Sequence, residues 1–173
     1  MNFAAVLQTV VDFLESQRTR YAVIGGVAIV MYGLPRTTLD LDLIVESTAQ
    51  EHLVRWLESL GYQTLHRSSG YSNHSHPEPA WGELDFVYVQ GETAEKLFSD
   101  CQHSPGPGGL IVPVPRPEHL AALKVTAMKN DPERTFREQE DIRFLLSLPG
   151  VDRREVRSYF ERYGLAERFD ELA

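Results

Sequence analysis

Residues 39–45 read Leu-Asp-Leu-Asp-Leu-Ile-Val, and this alternation limits what the chain can fold into more than any other stretch. A strand sends successive side chains to opposite faces. Leu39, Leu41 and Leu43 therefore point to a core, and Asp40 and Asp42 share the other face. Two carboxylates about 7 Å apart on one face repel each other, and Asp is depleted in strands. Two readings follow. The segment is an edge strand with polar residues turned to water, or it holds a hard divalent cation with positions left for phosphate and water.

The residues before it bear on that choice. Tyr21 to Ile24 is a short β-rich run, followed by Gly25 and Gly26, which allow a sharp turn and a close backbone approach to a ligand. Val27 to Tyr32 has the composition of a short helix, ended by Gly33 and Pro35. A helix that starts after two glycines offers free N–H groups and a positive dipole end to an anion. Phosphate at Gly25 and Gly26 with metal at Asp40 and Asp42 would together form a nucleoside triphosphate site.

The run GGVAIVMYGLPRTTLDLDLIV, a glycine pair, short helix, Arg-Thr and Asp-x-Asp strand, resembles the nucleotidyltransferase fold of the DNA polymerase β superfamily. Within it, the run is most similar to the AbiEii toxin type and the minimal nucleotidyltransferases. The resemblance spans roughly residues 20 to 148. It implies an α/β (α+β) fold: a small mixed sheet flanked by helices, with further helices at the C-terminus. It also implies a third carboxylate on a later strand. Asp85 in GELDFVYV fits, with Glu83, Asp85, Val87 and Val89 on one strand face and Leu84, Phe86 and Tyr88 on the other. By the same resemblance Lys124, in VPRPEHLAALKVTAMK, approaches the triphosphate, and Asp141, in EQEDIRFLL, is an acidic helix position near it. Arg36 either assists at the phosphates or positions the turn. Many superfamily members carry serine as the second residue of the glycine pair. Gly26 departs from them and agrees with the AbiEii-type branch.

A net charge of −8 argues against a broad basic surface for gripping nucleic acid. The single cysteine, Cys101, rules out an internal disulfide framework and fits a reducing cytoplasm. No secretory signal and no membrane-length apolar run is visible.

Residues 2–17 carry an amphipathic stripe of Phe3, Val6, Leu7, Val10, Val11 and Leu14. Ser47 and Gln50 have capping-box spacing ahead of a helix whose inner face is Leu53, Leu57 and Leu60. Tyr62 to His66 reads as a strand. Residues 67–81, rich in Ser, Gly, His and Pro, read as a loop that reaches the site mouth. His74 and His76 in it are either solvated or ligands of a soft metal. SPGPGG at 104–109 reads as a flexible turn, and Pro117 opens a helix. Lys124 has a plain alternative as a snorkelling lysine, and Asp141 as a partner of Arg137 or Arg143. The expected organisation is one nucleotidyltransferase-like domain, residues 1–148, with a helical appendage, 149–173. Arg153, Arg154, Arg157 and Arg162 there are either a solvated face or an RNA contact.

The function expected from the resemblance is Mg²⁺- or Mn²⁺-dependent transfer of a nucleoside monophosphate from a nucleoside triphosphate to an acceptor hydroxyl. Asp40, Asp42 and Asp85 would be the catalytic metal ligands, and Gly25, Gly26, Arg36, Lys124 and Asp141 the nucleotide and phosphate contacts. The acceptor would be a tRNA end, a protein side chain or a small molecule, and a cognate toxin–antitoxin partner is implied. The alternative is a non-catalytic nucleotide- or partner-binding protein, antitoxin-like or regulatory, that keeps the fold.

Overall fold

The computed structural model describes residues 1–131, 133 and 135–172. They form two compact units, Met1–Val114 and Pro115–Ala173. The first begins with α1 (Phe3–Ser16), whose N-terminus is capped by Asn2 Oδ1 accepting from Ala5 N–H at 3.3 Å. There follow β1 (Tyr21–Val23), α2 (Gly25–Met31), β2 (Asp40–Glu46), α3 (Gln50–Ser59), β3 (Gln63–Arg67), β4 (Tyr71–Ser75), β5 (Glu83–Val89), α4 (Gly91–Ser99), β6 (Gln102–Pro105) and β7 (Ile111–Val114).

Five strands make one mixed sheet in the order β1-β2-β5-β4-β3. Only β2 and β5 pair in parallel; the other neighbours are antiparallel. β6 and β7 form a separate antiparallel ribbon. One face of the sheet joins the inner stripe of α1 and α3 in a common core. Leu7, Leu14, Leu41, Leu43, Leu53, Leu57, Leu84 and Phe86 are all fully buried there. Each such side chain contributes roughly 1.5–3 kcal/mol of transfer free energy. This packing commits β2 and β5 to turn their alternate residues, Asp40, Asp42 and Asp85, to the opposite face.

The second unit consists of α5 (Pro117–Asn130), α6 (Thr135–Ser147), α7 (Arg153–Arg162) and α8 (Ala166–Asp170). Val125, Ile142, Leu145, Val156 and Phe160 are buried within it. Asp152 caps α7, accepting from Arg154 N–H at 2.9 Å and Glu155 N–H at 3.2 Å. Arg157 bonds Glu161 and Asp170, so this part of the arginine-rich stretch is an ion-paired face. Among the described residues no helix is long and apolar enough to cross a membrane.

Four local expectations change. The stretch 67–81 is not a continuous loop, because Tyr71–Ser75 is a full strand of the main sheet. Ser47 does not build a capping box: it sits in a 3₁₀ turn and donates to Gln90 Oε1, while Gln50 donates to the Ser68 carbonyl. Leu39 lies just outside β2 and is 80% exposed, so only Leu41 and Leu43 of the three leucines enter the core. The 104–109 turn is partly ordered as β6 and a 3₁₀ turn, Pro107–Gly109.

Candidate active site

The parallel register of β2 and β5 sets Asp42 beside Asp85 and Asp40 beside Glu83. Asp40, Asp42 and Asp85 are half-buried, and one carboxylate oxygen from each lies within 4.8 Å of the others. All three donors are hard oxygens carried on adjacent strands, which suits Mg²⁺ or Mn²⁺. At that spacing each carboxylate pair repels by roughly 1–3 kcal/mol in a partly solvated site. A divalent cation would relieve that repulsion.

The glycine pair forms the floor beside them. The Ile24 N–H donates to the Asp42 carbonyl at 3.0 Å, so the chain enters α2 against β2. Gly25 has φ +62°, and a Cβ there would lie 2.7 Å from the Asp42 Cβ and closer still to its carboxylate. A Cβ at Gly26 would lie 2.5 Å from Thr38 Oγ1 and 3.4 Å from Arg36 Nη2. Both glycines are therefore required by close approach, and they bring backbone next to the carboxylates and the Arg36 guanidinium. Asp40, Asp42, Asp85, Gly25, Gly26 and Arg36 thus gather in one place.

No family model and no curated protein matches the sequence. Solved structures do. The chain superposes on ANT(2″)-Ia in complex with adenylyl-2″-tobramycin with a TM-score of 0.59 at 16% identity, covering 99% of this chain and 95% of that one. An antigenic nucleotidyltransferase-like protein from Paracoccidioides brasiliensis gives 0.58 at 17% identity, covering 98% and 92%. The lincosamide antibiotic adenylyltransferase LnuA, lincomycin-bound, gives 0.56 at 18% identity, covering 83% and 96%. This chain has the nucleotidyltransferase fold. At such identities the likeness is one of architecture, and it agrees with the fold that the glycine-to-aspartate run resembles.

Two residues of this nucleotidyltransferase fold that sequence reasoning did not single out touch the carboxylates. The Thr38 hydroxyl donates to Asp40 Oδ1 at 2.7 Å. The Asn73 amide donates to Asp85 Oδ1 from β4, where the two residues are register partners. Thr38 had a usable signal in its nearness, two positions before Asp40, and its hydroxyl reaches the carboxylate across a bend at Leu39. Asn73 had none, because its strand is polar on both faces.

Lys124 and Asp141 belong to the helical unit. The Lys124 ammonium lies 2.7 Å from Glu138 Oε2 and 2.6 Å from Asp141 Oδ2, with all three side chains buried. Asp141 therefore pairs with Lys124 rather than being left to Arg137 or Arg143 alone.

The two histidines of the 67–81 stretch are occupied. His74 is fully buried on the core face of β4, with Nδ1 3.2 Å from Thr64 Oγ1 and Nε2 2.8 Å from Ser72 Oγ. Ser72 Oγ in turn lies 2.7 Å from the Tyr88 hydroxyl. Burial pushes the His74 pKa down to about 4, so the ring is neutral. His76 Nε2 is 3.2 Å from the Leu60 carbonyl and its Nδ1 accepts from Glu78 N–H. These contacts leave no soft-metal pair. Cys101 is half-buried, and burial raises its thiol to about 11, which makes it a poor nucleophile.

Proposed function

We propose that this protein is a Mg²⁺- or Mn²⁺-dependent nucleotidyltransferase that moves a nucleoside monophosphate from a nucleoside triphosphate to an acceptor hydroxyl. The observation that carries the reading is the convergence of Asp40, Asp42 and Asp85 within 4.8 Å on a sheet of nucleotidyltransferase topology. The hydroxyl oxygen forms a bond to the α-phosphorus, the bond to pyrophosphate breaks, and the hydroxyl proton leaves to water. Asp40, Asp42 and Asp85 would hold the metal, which would supply positive charge against the triphosphate oxygens. Gly25 and Gly26 carry the triphosphate on bare backbone, and Arg36 beside Gly26 neutralises phosphate charge. Asp85, at the centre of the sheet, faces the acceptor.

ATP is the first donor to test, since two of the similar structures are described by adenylyl chemistry. Those two also carry antibiotics, which makes a small polyhydroxyl molecule the first acceptor to test. A tRNA end and a protein side chain come next. A cognate toxin–antitoxin partner follows from the AbiEii-type resemblance alone.

A second reading is nucleotide binding without turnover: Lys124, which the resemblance alone assigns to the leaving pyrophosphate, is already ion-paired to Glu138 and Asp141. One experiment separates the two. Melting temperature is measured with each ribonucleoside triphosphate, with and without Mg²⁺, for wild type and for Asp40→Asn/Asp42→Asn, alongside pyrophosphate release. A magnesium-dependent rise lost in the double variant, with pyrophosphate released to an acceptor, supports the transferase. The same rise with no release under any acceptor supports the binding protein. No rise at all removes both.

A further inference from the structure

We propose that Asn73 and Thr38 are positioning residues that turn Asp85 and Asp40 into one-oxygen ligands and thereby bias the site to Mg²⁺ and Mn²⁺ over Ca²⁺. This rests on the metal-binding reading above. The Asn73 amide engages Asp85 Oδ1, and the Thr38 hydroxyl engages Asp40 Oδ1 at 2.7 Å. Each carboxylate is left with Oδ2 to present to a cation.

Neither donor has much freedom to leave. Asn73 is in the middle of β4, facing Asp85 across one ladder and His66 across the other. Its neighbours Ser72 and His74 are fully buried and hydrogen-bonded to each other on the core side. The backbone of Asn73 is therefore held from both edges, and its amide is aimed by the strand. Thr38 is held between the Gly26 backbone and Asp40. A larger residue at either glycine would displace Thr38 or Asp42.

One-oxygen ligation has a chemical consequence. Ca²⁺ takes about 6–8 oxygens at about 2.3–2.6 Å and commonly uses both oxygens of a carboxylate. Mg²⁺ takes an octahedron at about 2.0–2.1 Å, uses single carboxylate oxygens and keeps water in the remaining positions. Two carboxylates with Oδ1 already bonded to a donor resist two-oxygen ligation. They also stay oriented before the metal arrives. Loss of such outer partners typically costs about 10–100-fold in metal affinity.

The test is calorimetric titration of the metal-stripped full chain with MnCl₂ and with CaCl₂, for wild type, Asn73→Ala, Thr38→Val and Asp85→Asn. In Asn73→Ala and Thr38→Val the Mn²⁺ Kd should rise about 10-fold or more while the Ca²⁺ Kd changes by less than about 3-fold, so the preference for Mn²⁺ narrows. A merely structural loss would weaken both ions together. Wild-type binding with the Mn²⁺-to-Ca²⁺ ratio unchanged in both variants overturns the proposal and leaves the metal reading intact. Absence of Mn²⁺ binding by wild type, or binding undiminished in Asp85→Asn, overturns both. Thr38→Val is nearly isosteric, so it decides the matter if Asn73→Ala does not fold.

Discussion

Gly25 lies so close against Asp42 that a β-carbon on the glycine would overlap the aspartate side chain. Its φ of +62° adds a backbone penalty for any larger residue. Gly25→Ala should therefore lower stability by about 1–3 kcal/mol and push the Asp42 carboxylate out of line. We expect a lower urea midpoint, and loss of the Mg²⁺-dependent melting rise even at temperatures where the variant is folded. Retention of that rise would mean that Asp42 is not held by this contact.

Asp42→Asn should act in the opposite direction on the metal-free protein. Removing one of three crowded carboxylates relieves roughly 1–3 kcal/mol of repulsion per pair, so the variant should melt at a higher temperature than wild type in EDTA. In Mg²⁺ the order should reverse. Parallel thermal melts in EDTA and in Mg²⁺ check both halves, and a variant less stable than wild type in EDTA would count against crowding.

Lys124→Met leaves Glu138 and Asp141 buried without their shared cation. Breaking such a pair typically costs about 3–5 kcal/mol. The helical unit should unfold at a lower urea concentration, followed by far-ultraviolet circular dichroism. Combining it with Glu138→Gln and Asp141→Asn should recover a large part of the loss. A Lys124→Met protein as stable as wild type would show that the pairs contribute little, and would free Lys124 for a ligand.

His74 gives the protein an acid-side weakness. The folded ring stays neutral until about pH 4, whereas the unfolded ring protonates near its ordinary 6.5. Protons therefore favour the unfolded chain between those values. This contribution to stability is complete above about pH 6.5 and declines as pH falls toward 4, by on the order of 3 kcal/mol in total. Denaturant midpoints from pH 7.5 to 4.5 should fall more steeply for wild type than for His74→Gln. Equal slopes would show that the ring does not resist protonation.

The sequence was informative wherever hydrophobicity and conformation changed together. The Leu-Asp alternation of β2 announces which face is buried, and Gly25 and Gly26 mark backbone contact because nothing else fits there. β4 was illegible for the opposite reason. Tyr-Ser-Asn-His-Ser contains no aliphatic residue, and its buried side chains, Ser72 and His74, are hydrogen-bonded to each other, with the His74 ring edge-on to Phe86. A hydrophobic period of two cannot show when both faces are polar, so Asn73 was hidden with its strand. Ser47 and Gln50 had the right spacing for a cap, but neighbours distant in sequence, Gln90 and Ser68, took their hydrogen bonds.

The parallel pairing of β2 with β5 also fixes when the site comes into being. α3, β3 and β4 lie between them in the chain, and the loop they form must close before Asp42 meets Asp85. Closure of that kind is entropically uphill until the central sheet condenses. A nascent chain that has delivered Asp40 and Asp42 thus has no cation trap to offer. A metal bound there would be a late passenger on a finished sheet, and it would slow unfolding without hastening folding.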